Sequence, residues 1–257
     1  MKHANVPLVC VALLPAVASA FQPLVTDDTG TQGAGGNQAE ASYNRTVANA
    51  SGIRDVTHEV PLVFTRGITG ALDLYVGAGY QKIVSAMGER GWGNPALGGK
   101  WRFYENGASK LSLAFKPEVR FPVSKNREER GLGAARTSYS AGLLLTQETG
   151  FGAVHANAVV ERVNYSEDAL NSAERRTRYR LSVAPVWDVA EGWKLALDAG
   201  VMTNSDHMAK ARTGYVEFGA VYSPGKDLEF ALGVVRNAMD GDARTTRTTI
   251  GITWRFR

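Results

Sequence analysis

The sequence predicts an all-β fold: a transmembrane antiparallel β-barrel of about twelve strands, with short periplasmic turns and long extracellular loops. Three observations predict it. Segments that alternate apolar and polar residues run longer than ordinary strands. The stretches joining them are alternately tight and long. Aromatic residues gather where the segments end.

The alternation is plain in "KLSLAFKPEVRF", where Leu111, Leu113, Phe115, Pro117, Val119 and Phe121 oppose Ser112, Ala114, Lys116, Glu118 and Arg120. "WKLALDAGV" and "LEFALGV" repeat it, with Trp193, Leu195, Leu197 and then Leu228, Phe230, Leu232 on the apolar side. A period of two is a strand signature. Such segments lie near 38–48, 56–66, 70–84, 92–105, 109–123, 137–149, 152–166, 175–189, 193–204, 211–223, 227–237 and 246–257. A common soluble strand has about 5–6 residues, whereas a tilted membrane strand needs about 9–11.

Every second connection is tight: "GITG", "ENGA", "TGFG", "AEGW" and "SPGKD". The others are polar and longer: "NASGIRD", "SAMGERGWGNP", "SKNREERGLGAAR", "SEDALNSAER", "NSDHMAKA" and "AMDGDART". Outer-membrane barrels sort their connections in this way. A soluble sandwich has no reason to.

Phe64, Trp101, Phe103, Phe151, Trp187, Trp193, Tyr222, Phe230, Trp254 and Phe256 lie by the tight turns or the last strand. Tyr80, Trp92, Tyr139, Tyr165, Tyr179 and Tyr215 lie by the long loops. Two aromatic girdles suit two membrane interfaces; core aromatics of a soluble β-protein are the plainer alternative. The final strand, "TTIGITWRFR", sends Ile250, Ile252, Trp254 and Phe256 to one side. Hydrocarbon satisfies no open sheet edge, so this strand is expected to pair with the first and close the cylinder. It resembles the C-terminal signal of outer-membrane proteins, with Phe256 penultimate rather than last.

The opening "MKHANVPLVCVALLPAVASA" has a basic Lys2, an apolar run and the small triplet Ala18-Ser19-Ala20, which reads as a signal peptide over residues 1–20. A lipoprotein reading through Cys10 lacks the small residues its processing wants. Cleavage would remove that single cysteine, leaving burial and sheet closure rather than disulfides to hold the fold. The mildly basic balance, +4, comes without a basic-aromatic patch, so no nucleic-acid partner is expected.

The face opposite the lipid is predicted to carry Glu40, Glu59, Asp73, Lys100, Arg102, Lys116, Glu118, Arg120, His155, Glu161, Arg178, Arg180, Asp188, Lys194, Asp198, Glu217, Glu229 and Arg255. The candidate lumen-lining set is Glu59, Asp73, Arg102, Lys116, Glu118, Arg120, Glu161, Arg178, Arg180 and Asp198. Mixed charge suits a water-filled pore or a plugged barrel held by ion pairs. A basic ladder of Lys116, Arg120, Arg178 and Arg180 could guide anions. The plainer reading is a structural network with Glu161 or Asp188, since inward charges of both signs must pair to be tolerated. Enzyme readings find no G-x-S-x-G elbow, and His58, His155 and His207 have no evident nucleophile beside them. "DGDAR" lacks the rest of a calcium loop and reads as a turn. No catalytic residue, metal or cofactor is expected.

Residues 21–37, "FQPLVTDDTGTQGAGGN", are rich in Gly, Thr and Asp and read as a periplasmic extension or a plug ahead of a barrel over 38–257. "PLVTDDTGTQGAGGNQ" resembles the opening of the outer-membrane family named after the MetA-pathway of phenol degradation. The matching positions are Pro23, Leu24, Thr26, Asp27, Asp28, Thr29, Gly30, Thr31, Gln32, Gly33, Gly35, Gly36 and Asn37. The resemblance implies an outer-membrane barrel associated with uptake of aromatic or other hydrophobic compounds, and assigns these positions no catalysis. Asp27 and Asp28 are the candidate plug residues, able to pair with inward Lys or Arg if the segment folds into the lumen; a tether in the periplasm is the alternative.

The expectation is thus a channel or transporter for a small molecule, in the outer membrane of a Gram-negative bacterium, partnered by membrane lipids including lipopolysaccharide, the outer-membrane assembly machinery and its solute. The alternative is a non-transporting surface barrel, an adhesin or lipopolysaccharide binder. Its loop cations Lys125, Arg127, Arg130, Arg175, Arg176, Lys210 and Arg212 would meet lipid phosphates.

Overall fold

The computed structural model describes residues 22–50, 53–84, 88–238 and 243–257. The expected signal peptide, 1–20, lies outside them, as does most of "DGDAR". Among the described residues no helix is long and apolar enough to cross a membrane.

The strands are β1 (Asn37–Ala50), β2 (Ile53–Gly67), β3 (Leu72–Val84), β4 (Arg90–Trp92), β5 (Ala96–Asn106), β6 (Leu111–Arg120), β7 (Ser138–Thr149), β8 (Gly152–Arg162), β9 (Thr177–Ala190), β10 (Trp193–Thr203), β11 (Arg212–Tyr222), β12 (Leu228–Asn237) and β13 (Ala243–Phe256). Each pairs antiparallel with its neighbour in sequence, except that β4 and β5 both pair with β3, and β1 pairs with β13 from Asn37↔Phe256 to Ala50↔Ala243. That pairing closes the sheet, so no edge faces lipid. β4 and β5 share one place beside β3, making the wall a 12-stranded barrel. The expected single strand over 92–105 divides because Pro95 has no N–H to give the ladder; Gly93 bridges the break by donating to the Gly79 carbonyl at 2.8 Å.

The wall is inside-out relative to a soluble protein. Leu62, Phe64, Val76, Leu97, Leu143, Leu181, Phe218, Leu232, Ile250 and Trp254 are exposed, whereas Glu40, Asp73, Glu118, Asp198 and Glu217 are buried. Alternation forces this: with a period of two, an apolar outer band places every second, polar residue in the lumen. The aromatics by the tight turns stack in pairs, Trp193 on Tyr222 at 4.6 Å and Trp254 on Phe256 at 4.4 Å between ring centroids. Tyr215 corrects the other girdle: it has the parity of Glu217, points inward and is buried, donating to Asp198 at 2.9 Å. Tyr165 sits in a loop against Arg178 rather than towards lipid.

The sorting of connections is carried by fewer loops than expected. β1 runs to Ala50 and β2 resumes at Ile53, so the polar "NASGIRD" is mostly strand. Among the described residues the long connections are 88–95, which carries β4, 121–137, 163–176 and 204–211, all between β3 and β11. Two of them carry short helices that alternation could not reveal, α1 (Lys125–Glu129) and α2 (Asp168–Ala173).

These loops are tied into one cap. Asn94 donates to the carbonyls of Phe121 and Ala134, both at 2.7 Å, and accepts from the Ala134 N–H. Glu128, buried on α1, accepts from the backbone of Ala135, Ser166 and Glu167 and from the Ser166 hydroxyl. Burial opposes its charge, but these donors outweigh that and hold the carboxyl below the usual carboxylate range. Arg175 spreads its guanidinium over the carbonyls of Asn204, Asp206, His207 and Ala209.

Candidate functional site

The site is the lumen, and the chain from Gln22 to Gly36 runs around its inner wall. Gln22 lies against Gly251 of β13, and Pro23 against Gly219 of β11 and Gly233 of β12. The Val25 N–H donates to Glu217 of β11 at 3.0 Å. The Thr26 N–H donates to Asp198 of β10 at 2.7 Å, and its hydroxyl lies 2.8 Å from that of Ser182 on β9. Asp27 and Asn157 of β8 exchange two bonds, N–H to Oδ1 at 2.6 Å and Nδ2 to carbonyl at 2.9 Å. Thr29 reaches Thr146 of β7 and Ser112 of β6; Gln32 donates its N–H to Asp73 of β3. Gly35 donates to the Gly67 carbonyl of β2 at 2.9 Å, where β1 begins. The segment thus meets the strands in descending order, from β13 round to β2.

Two sequence features make this path possible. Gly219, Gly233 and Gly251 face inward on three neighbouring strands and form a trough. A Cβ at 233 would stand 2.7 Å from the Cβ of Pro23, and one at 251 would stand 1.9 Å from Gln22 Oε1. The segment itself offers backbone N–H groups, which inward Glu, Asp and Asn can accept. It behaves like a bound extended peptide whose partner is the barrel wall.

Its charged centre is Asp27. Lys116 Nζ lies 2.5 Å from Asp27 Oδ2, and Lys100 Nζ lies 3.0 Å from Oδ1 and 3.5 Å from Asp28. Lys116 also stands 5.1 Å from the centre of the Tyr75 ring, and Tyr75 donates to Glu118 at 3.0 Å. Beside these groups is a cavity of about 290 Å³, bounded by Asp27, Asp28, Tyr75, Lys100, Lys116 and Arg255 among others.

The remaining residues singled out in the sequence fall into separate groups. Arg120 binds Glu118 at 2.7 Å and also Glu161, so the Lys116–Glu118–Arg120 row is a mixed-sign network rather than a basic ladder. Arg178 turns to Glu174 at 3.1 Å and to Tyr165, at the loop end of β9. Arg180 faces inward; its Nε and that of Arg247 are buried with no hydrogen-bond partner among the described residues. Asp188 is exposed at the rim, 3.7 Å from Lys194, and takes no part in the network with Arg178 or Arg180. Arg102 sits near the turns, donating to the Gly70 carbonyl and pairing with Glu105. Glu59 is half-buried across from Asn44. His155 is buried with its Nδ1 2.9 Å from the Thr146 hydroxyl, and His207 lies in a loop, its N–H donating to the Ala173 carbonyl. Among the described residues no three potential metal ligands cluster.

Sequence reasoning missed Asn157, Tyr75, Ser182 and the glycine trough as parts of this site. It weighed charges and parity, and an uncharged inward residue gives no signal until its partner is placed. The loop cations assigned to lipid phosphates are engaged in part: Arg175 caps a loop and Arg130 pairs with Glu89.

The family model described as "Putative MetA-pathway of phenol degradation" matches residues 17–256. The chain belongs to this family. No curated protein matches it in sequence. Among solved structures, an outer membrane channel of the COG4313 group from Pseudomonas putida F1 is similar at a TM-score of 0.71 and 14% identity, over 91% of this chain and 100% of that one. The NanC porin follows at 0.59 and 10%, over 83% and 98%. The CymD monoaromatic hydrocarbon channel is similar at 0.50 and 9%, over 88% and 90%. At these identities the likeness is one of fold: a 12-stranded outer-membrane barrel.

Proposed function

We propose that this family member is a channel for a small solute in the outer membrane of a Gram-negative bacterium, narrowed at rest by residues 22–36. It would be delivered there by the signal peptide over 1–20 and inserted by the outer-membrane assembly machinery among lipids that include lipopolysaccharide. The observation that carries the reading is the inner circuit itself. A barrel with a purely structural role has no need of a segment laid around a polar lumen and held by side-chain bonds that can exchange with water. The similar structures named as channels and a porin support it. A surface barrel that binds lipopolysaccharide through its loops draws less support, because Arg175 and Arg130 are turned to loop partners.

The test is conductance in planar bilayers, with the mature chain and with the same chain lacking residues 22–36. Larger steps after deletion are expected. Absence of steps in both, from protein shown to be folded, would sink the reading.

A further inference from the structure

We propose that Lys100 and Lys116 form a carboxylate-binding site that Asp27 fills from within the chain, so that a small organic carboxylate in the adjoining cavity competes with Asp27 and loosens the segment. This rests on the channel reading above and adds the class of solute.

The geometry is that of a bound carboxylate. Asp27 presents one oxygen to each lysine, at 3.0 and 2.5 Å, in a place where its side chain is 8% exposed and those of Lys100 and Lys116 are 12% and 7%. The two cations reach it from different strands, β5 and β6, so their convergence is a property of the wall rather than of the segment. The cavity opens beside them with about 290 Å³, roughly ten waters' worth of space. Arg255 and Tyr75 also border it.

Charge decides which solute can take the place. Losing Asp27 would leave the two buried ammonium groups one anion short, and breaking a buried pair by removing one partner is strongly destabilising. A neutral molecule entering the cavity cannot offset that loss. A carboxylate can, because one anion leaves the lysines as another arrives and the balance is unchanged. Once Asp27 gives up the lysines, the centre of the segment loses its two shortest ion pairs and keeps its hydrogen bonds, among them those to Asn157, Asp198, Glu217 and Ser182.

The test is calorimetric binding of benzoate, and of uncharged benzamide of the same shape, to the folded full-length mature protein in detergent, alongside the bilayer recordings. Benzoate is expected to bind and to raise conductance, and benzamide to do neither. Asp27→Asn frees the site, so benzoate should bind about tenfold tighter if Asp27 occupies it nine-tenths of the time. Lys100→Met with Lys116→Met should abolish binding. Equal binding of benzamide, or benzoate affinity unmoved by Asp27→Asn, would overturn the inference. Because Asp27→Asn keeps both lysines, its result stands even if the lysine double variant fails to fold. Failure of the channel reading shows differently, as absent conductance in the chain lacking 22–36, whatever benzoate does.

Discussion

Two regions lie within or over the lumen of this barrel, and they are built on opposite principles. At the periplasmic side a single length of chain, Gln22 to Gly36, lies in the lumen and is joined to the wall covalently only where β1 begins. At the other side loops 88–95, 121–137, 163–176 and 204–211 are each anchored by strands at both ends and cross-tied by Asn94, Glu128 and Arg175. The inner segment is held by carboxylates and lysines of the wall, partners that water or another anion can replace. The loops are held by side chains that cap backbone groups of neighbouring loops, bonds in which the lumen takes no part. A part held at one end by exchangeable partners suits a gate; one held at both ends by capping bonds suits a fixed frame.

That contrast can be broken most forcefully at the glycine trough. In Gly233→Leu the new side chain would occupy the space of Pro23, so full-length protein should conduct nearly as well as the chain lacking 22–36. Conductance unchanged from the parent would show that the segment does not depend on the trough. Glu128→Ala comes next. Loss of its bonds leaves four part-buried donors without their carboxylate, worth about 3 kcal/mol in all, so amides of Ala135 and Ser166 should exchange on the order of a hundredfold faster while conductance stays close to the parent's.

Acid sharpens the same point. The folded carboxyl of Glu128 titrates below its unfolded value, so its stabilisation is complete above the ordinary carboxylate range and is lost as pH falls through the lowered folded value. The ratio of loop exchange in Glu128→Gln to that in the parent should therefore be large near neutrality and shrink towards one in acid. A ratio independent of pH would mean that the charge of Glu128 is not what ties the loops. Arg175→Ala should have the smallest effect. Its carbonyl partners in 204–209 can turn to water, so about tenfold faster exchange there is expected, with the other loops unmoved.

Much of the wall was legible because a membrane barrel imposes one rule on every residue. Leu111 to Phe121 show it: alternate positions must be apolar, so the order of side chains gives the face directly. The rule reached its limit at Tyr215, where proximity to a loop suggested a girdle and parity placed the ring in the lumen. It also failed at Asn49, Arg54 and Asp55, polar residues that read as a loop and are ladder-paired strand. Polarity marks exposure to water, and a strand that rises beyond the hydrocarbon is as wet as a loop.

By itself the sequence determined a closed, outward-apolar barrel and the seam between the strands beginning at Asn37 and ending at Phe256. The tertiary structure decided which of the inward charges meet. Asp27 stands far along the chain from Lys100, Lys116 and Asn157, and no local pattern couples them. They come together because closing the sheet brings β5, β6 and β8 within reach of one segment, and inward glycines leave that segment room to lie. Periodicity is a local property of a chain, and a lumen exists only after the ends of the sheet have joined.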